Sequence, residues 1–298
     1  MIEPNNGASY EDQLGVARHA EELGFAGFFR SDHLIPGDGD GLPGPSDTWI
    51  TLAGLARETS TIRLGSLMTS ATFRHPSVLA VTVAQVDLMS GGRVELGLGA
   101  GWWEREHEAT GIELPDMQER FARFAQQLEI LNGLWTTPVG ESYSFSSDVY
   151  QLDRSPALPK PQQKQLPIII GGSGKVRTPE LAARWASEFN SAWVDPAATE
   201  RQFARVAAAC EAIDRNPGSL RRSTLQSLWV GDTLAERTRR AAVTGKPLSE
   251  LTGLIGNQAD IRRQVLEFEA AGVDRIYAEI LDLHDLDQLD YFASAVGL

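Results

Sequence analysis

An aspartate and a histidine stand side by side in RSDHL, residues 30–34. A carboxylate beside an imidazole can fix the ring's tautomer and poise it to give or take a proton near neutral pH. Asp32 and His33 are therefore candidate acid–base residues. The alternative is a surface loop in which Asp32 caps a neighbouring element. In LMTSATFRHP, residues 67–76, the hydroxyls of Thr69, Ser70 and Thr72 follow an apolar run, with Arg74 and His75 beyond. They could form a shelf for a flat ring, or only cap the helix that opens at Pro76.

Two further clusters are glycine-rich. In LGLGAGWWEREHEATG, residues 96–111, Gly97, Gly99 and Gly101 let a ligand or another strand approach closely. Trp102 and Trp103 could wall a flat aromatic ligand or belong to the core, and Glu104, Glu106 and His107 are titratable. In GGSGKVRTPELAARWA, residues 171–186, the N–H groups of Gly172, Ser173 and Gly174 could cradle an anion at a helix start, with Lys175 and Arg177 adding charge. The same turn could merely reverse the chain.

Other chemistries are disfavoured. The glycines at 97, 99 and 101 read G-x-G-x-G, not the dinucleotide fingerprint, and 171–177 is not a nucleotide P-loop. There is no G-x-S-x-G elbow. The five histidines show no zinc-ligand spacing, so no metal is expected. With no nucleophile motif, a bound organic cofactor accounts best for the clusters.

These clusters need elements to hold them. Residues 25–31, 62–69, 93–100, 167–172, 189–194, 225–231 and 274–281 read as strands, and 9–23, 47–58, 77–89, 116–134, 178–188, 197–213, 258–271 and 284–296 as amphipathic helices. The alternation predicts βαβ units and a parallel sheet. Seven strands leave a (β/α)8 barrel one short, and only MIE at the start could supply the missing first one. Gly24 and Gly272 read as left-handed helix ends. Thr178 reads as a helix N-cap with Pro179 as the first helical residue. Residues 101–166 are too long for one βα unit and predict an insertion between the fourth and fifth strands, covering the barrel mouth and carrying a hairpin in YSFSSDVYQL. The stretch 232–252 reads as irregular, a lid or a loop.

Composition sets the outer limits. The chain has 298 residues and a formal charge of 27 − 40 = −13. Such an acidic chain disfavours nucleic acid as a partner. One cysteine, Cys210, permits no internal disulfide and fits a cytoplasmic protein, where it would be a small buried hydrophobe. No signal peptide and no membrane span are expected. One domain over 1–298 accommodates this length.

Read together, these pieces resemble the luciferase-like monooxygenase superfamily, and within it the coenzyme F420-dependent oxidoreductases. The resemblance runs over nearly the whole chain: AEELGF with FRSDHL, TSATFRHPSVLA, MSGGRVELGLGAGW, ERF at 119–121, PALPKPQ at 156–162, and PIIIGGSGKVRTPELAARWASEFN. It implies a TIM barrel, an F420 ring at the strand C-termini and hydride transfer to or from a small organic substrate. Asp32 and His33 inherit the place beside the ring. A non-prolyl cis peptide is implied at or near Leu67–Met68. Thr69, Ser70, Gly99, Gly101 and Trp102 would line the ring or substrate pocket. Gly171, Gly172, Ser173, Gly174, Arg177 and Thr178 would hold the phosphate. The resemblance also implies a homodimer. An FMN-dependent monooxygenase fed by a separate reductase is the alternative. Relatives read G-W-N-E where this chain has GWWE, and Trp102 stands where some dehydrogenases carry a catalytic glutamate, which argues against sugar-phosphate chemistry.

Overall fold

The computed structural model describes residues 1–37 and 39–298. In chain order the elements are α1 (Tyr10–Glu22), β1 (Gly27–Arg30), α2 (Thr48–Glu58), β2 (Arg63–Ser70), α3 (Pro76–Ser90), β3 (Val94–Gly99), α4 (Glu104–Thr110) and α5 (Met117–Thr136). There follow β4 (Tyr143–Ser146), β5 (Gln151–Ser155), β6 (Ile168–Gly171), α6 (Arg177–Trp185), β7 (Glu188–Ala192), α7 (Pro196–Glu211) and β8 (Arg221–Val230). The chain ends with α8 (Leu234–Ala241), β9 (Leu254–Gly256), α9 (Gln258–Ala270), β10 (Arg275–Glu279) and α10 (Asp287–Val296).

Seven strands form a curled parallel sheet in the order β1-β2-β3-β6-β7-β8-β10, and β9 pairs with the far end of β8. Helices lie between successive strands, as the alternation of periods predicts. The N-terminal residues join the two edges. Ile2 N–H donates to the Phe29 carbonyl at 3.0 Å, and Ile280 N–H donates to the Met1 carbonyl at 3.1 Å, giving parallel bridges to both β1 and the end of β10.

Local chemistry explains many boundaries. A Ser9–Asp12 capping box opens α1, and Asp47 accepts from the Trp49 and Ile50 N–H groups to open α2. Gly24 and Gly272, at φ +83° and +89°, close α1 and α9 with paired backbone bonds to the last turn, as expected. The main core, fully buried Cys210 among it, lies largely between the sheet and its helices, whereas Phe29, Leu67, Ile169, Leu225 and Tyr277 fill the inside of the curled sheet.

Several boundaries differ from expectation. Residues 234–241 form a helix inside the stretch read as irregular, opened by a Thr233–Glu236 capping box. β8 starts at Arg221, four residues before its apolar run. The helix after the glycine turn starts at Arg177 with Val176 at the N-cap, so Thr178 is already helical and caps nothing. Pro179 is then the third helical residue, where a missing N–H still costs no intrahelical bond. Between β3 and β6 the chain carries α4, α5 and the expected hairpin β4–β5. Its first part meets the strand C-termini, and Tyr150, between β4 and β5, packs on His75 just beyond β2. The hairpin packs on α5 through Tyr143 against Gly133, and Gln163 bonds Asp87 and the Val94 carbonyl at the opposite end. The segment must descend, because a parallel β6 begins at that end. No described helix is long and apolar enough to cross a membrane.

Candidate active site

The C-terminal ends of β1, β2 and β3 bring three of the four clusters together. His33 follows β1. Its Nδ1 lies 3.1 and 3.2 Å from the two carboxylate oxygens of Glu106 on α4. The same carboxylate accepts from the Leu34 N–H and is almost fully buried. Burial opposes the charged imidazolium, but the Glu106 bond and the charges of Glu3, Glu106 and Asp32 outweigh it, and the His33 pKa is raised above 6.5. The His33 ring stands edge-on to Trp103 and Trp102, with centroids at 5.1 and 6.1 Å.

Asp32 does not hold the imidazole. Its carboxylate takes both terminal nitrogens of Arg74, one at 3.1 Å, and Arg74 also reaches Asp47 at 2.7 Å. Asp32 is thus committed to an ion pair that ties β1's end to β2's end and to the start of α2. Arg30 is buried and bonded to Gln13 and Ser46.

The hydroxyl cluster separates into two roles. Thr69 is fully buried and accepts from the Trp49 indole at 3.1 Å, so it supports the strand rather than lining a pocket. Ser70 and Thr72 lie 2.6 Å apart, and Thr72 lies 2.7 Å from His107 Nε2. His107 Nδ1 faces the Trp103 carbonyl at 2.7 Å, so Nδ1 is the donor. When the ring is neutral, Nε2 accepts from Thr72, Thr72 accepts from Ser70, and Ser70 keeps free lone pairs. Gly101, at φ +85°, fits against this chain; a Cβ there would come within 2.6 Å of Ser70 Oγ. The Leu67–Met68 peptide is cis, as the resemblance implies. Met68 lies near Gly99 and close against Gly171, where a Cβ would come within 2.5 Å of its terminal methyl. Trp102 is 71% exposed and stacks on Trp103 at 5.8 Å, so it is not core.

The glycine turn follows β6 on the same side of the sheet. Residues 172–177 are exposed and Thr178 is buried. Gln202 donates to the Gly172 carbonyl at 3.3 Å and the Gly174 carbonyl at 2.8 Å. A trans peptide points its N–H opposite its carbonyl, so the amides of Ser173 and Lys175 face away from Gln202. A Cβ at Gly174 would come within 2.5 Å of Thr178 Oγ1. Arg177 donates to the Met117 carbonyl at 3.2 Å and lies over Phe121, which positions it beside the turn. This is a cradle of outward amides at a helix start, and it fits a phosphate.

Sequence reading missed a second acidic group. Glu3 faces the interior near Ser31 and His33. Burial first, and the Glu279 charge next, push its pKa up to about 7. Glu279 accepts from Ser227 and from the Trp193 indole at 3.2 Å. An acid inside a strand as apolar as DRIYAEIL was the available signal. Nothing local in the sequence pointed to Gln202.

The family model described as luciferase-like monooxygenase matches residues 2–263. An F420-dependent glucose-6-phosphate dehydrogenase of Microbacterium testaceum (strain StLB037) is 38% identical over 57% of this chain and 49% of its own length. An F420-dependent hydroxymycolic acid dehydrogenase of Mycobacterium tuberculosis (strain ATCC 25618 / H37Rv) is 31% identical over 74% of this chain and 59% of its own. The chain therefore spans about half the length of the curated relatives it matches. An F420-dependent secondary alcohol dehydrogenase solved with an F420–acetone adduct shares the fold, with a TM-score of 0.84 at 17% identity over 99% of this chain and 98% of that one.

Proposed function

The chain belongs to the luciferase-like monooxygenase family, and from that premise we propose that it is an F420-dependent oxidoreductase acting on a small organic substrate. The observation that carries this reading is an imidazole, His33, held by Glu106 with its pKa raised, at the same C-terminal end of the sheet as a turn of outward amides. The F420-dependent relatives support the choice of cofactor.

The deazaflavin, when bound, supplies the hydride acceptor or donor. The protein supplies the rest. Ser173 and Lys175 amides at the start of α6 hold the phosphate, while Gly171, Gly172, Gly174, Arg177 and Thr178 shape that turn. Met68, Ser70, Gly99 and Gly101 bound the ring site. His33 holds or moves a proton at Nε2, because Nδ1 is engaged by Glu106. Asp32 acts through Arg74, fixing the loop that carries His33. Trp102 and Trp103 shield the site from water and support the substrate. The bridges from Ile2 to both sheet edges make the fold, on this reading, a complete (β/α)8 barrel within one domain, its mouth covered in part by 101–166. Kinship extends the reading to a cytoplasmic homodimer.

Side-by-side titration with F420 and FMN tests the cofactor. The reading expects F420 to bind with a Kd below about 100 μM and FMN more weakly. Preference for FMN would turn it into a flavin monooxygenase; no binding of either would overturn it.

A further inference from the structure

The neighbour of His33 in sequence is Asp32, but its partner in space is Glu106. We propose that Glu106 is the positioning residue of this site: it holds His33 in the Nδ1–H form and leaves Nε2 as the only ring position open to proton exchange. This deepens the reading of His33 as the proton-handling group and rests on it.

Three observations carry the assignment. Both Glu106 oxygens lie within hydrogen-bond reach of Nδ1, at 3.1 and 3.2 Å. The carboxylate also accepts from the Leu34 N–H, so it grips the backbone next to the ring it orients. Among the described residues, His33 is the only side chain bonded to the Glu106 carboxylate, which is 1% exposed. A buried carboxylate without an arginine or lysine is costly unless another donor serves it. His33 Nδ1–H is that donor, and among the described residues its protonated ring is the only cation in contact. Asp32 is the contrasting case, since its charge is already matched by Arg74, itself shared with Asp47. The groups facing His33 are therefore Glu106 from α4, Glu3 from the N-terminal segment, and Asp32 from its own loop. Trp102 and Trp103 bound the ring on its edges. The raised His33 pKa agrees with this arrangement.

Nitrogen-detected NMR of histidine-labelled, cofactor-free protein tests the proposal, with the His33 signals identified by their loss in His33→Asn. The neutral ring should show the Nδ1–H tautomer. In Glu106→Gln the titration midpoint of His33 should fall by about one pH unit or more, and in Asp32→Asn by less. An Nε2–H tautomer, an unchanged midpoint in Glu106→Gln, or an equal fall in Asp32→Asn would overturn it. Should Glu106→Gln fail to fold, Glu106→Asp serves instead: a carboxylate withdrawn by one methylene should still lower the midpoint, and no change would overturn the proposal. Because no cofactor is present, failure of the F420 assignment leaves this result standing, and the reverse also holds.

Discussion

The two ends of the curled sheet carry similar residues to different ends. At the strand N-termini, Glu95 is gripped by Arg63 and by Arg275 at 2.7 Å, and Glu188 by Arg275 at 3.1 Å and the Tyr277 hydroxyl at 2.6 Å. Burial would raise the Glu95 pKa, but the two arginines outweigh it and hold it below the ordinary carboxylate value. Glu188 stays raised, chiefly by burial, although the Arg275 charge and the Tyr277 bond oppose the rise. At the strand C-termini the acids are matched differently. Glu3 and Glu279 share one interior with the Met1 ammonium, His33 is the one side chain bonded to Glu106 among the described residues, and Arg74 is spent on Asp32 and Asp47. A buried charge matched by arginine is architecture. A buried acid or imidazole left to titrate near neutral pH is available for chemistry.

That contrast can be broken at either end. His33→Asn should lower F420-dependent turnover by about 10²–10⁴-fold and cost about 1–2 kcal/mol in unfolding, through the partner it takes from Glu106; a stability loss larger than that at the other end would erase the distinction. Arg275→Ala, at the other end, leaves Glu95 with Arg63 alone and Glu188 with the more distant Arg221, and should cost about 3 kcal/mol in denaturant unfolding. A loss below about 1 kcal/mol would show that the floor is not built on this pair.

The pH response separates the ends further. Glu3 ionises at about 7 in the fold against 4.5 as its ordinary value, so the native state keeps a proton that the unfolded chain has released. Stability should therefore fall as pH rises from 4.5 through 7, and Glu3→Gln should flatten that fall. His33 acts over a neighbouring range: its raised pKa stabilises the fold below 6.5, and this contribution is lost as pH rises through the folded value. Urea midpoints across pH 4–9 read both. The smallest expected effect is at the turn. Gln202→Ala frees the Gly172 and Gly174 carbonyls and should weaken F420 binding by about 2- to 10-fold.

The sequence makes the frame legible where periodicity is strong. The apolar runs of β1, β2, β3 and β6 and the end glycines of α1 and α9 stand where expected. It fails where a partner lies far along the chain. Asp32 looked like the partner of His33 because it is adjacent, yet consecutive residues at a strand end point apart, and Glu106 reaches His33 across 73 positions. Thr69 looked like a pocket hydroxyl, but a register shift between Ser66 and Thr69 turns it out toward Trp49 of α2, in the helix layer. The helix 234–241 was signalled by Thr233 and Glu236 and was overlooked because it carries few apolar residues. The short link at Met1–Glu3 offers no period at all, and only the backbone bonds of Ile2 show what it joins.

Amide hydrogen exchange with and without F420 tests the central claim, that one end of the sheet binds and reacts while the other only holds the fold. F420 should slow exchange at 31–34 and 171–178, with residues 93–96, 186–189 and 274–277 unchanged. Slowing confined to the strand N-termini, or no slowing at either mouth segment with F420 bound, would contradict it.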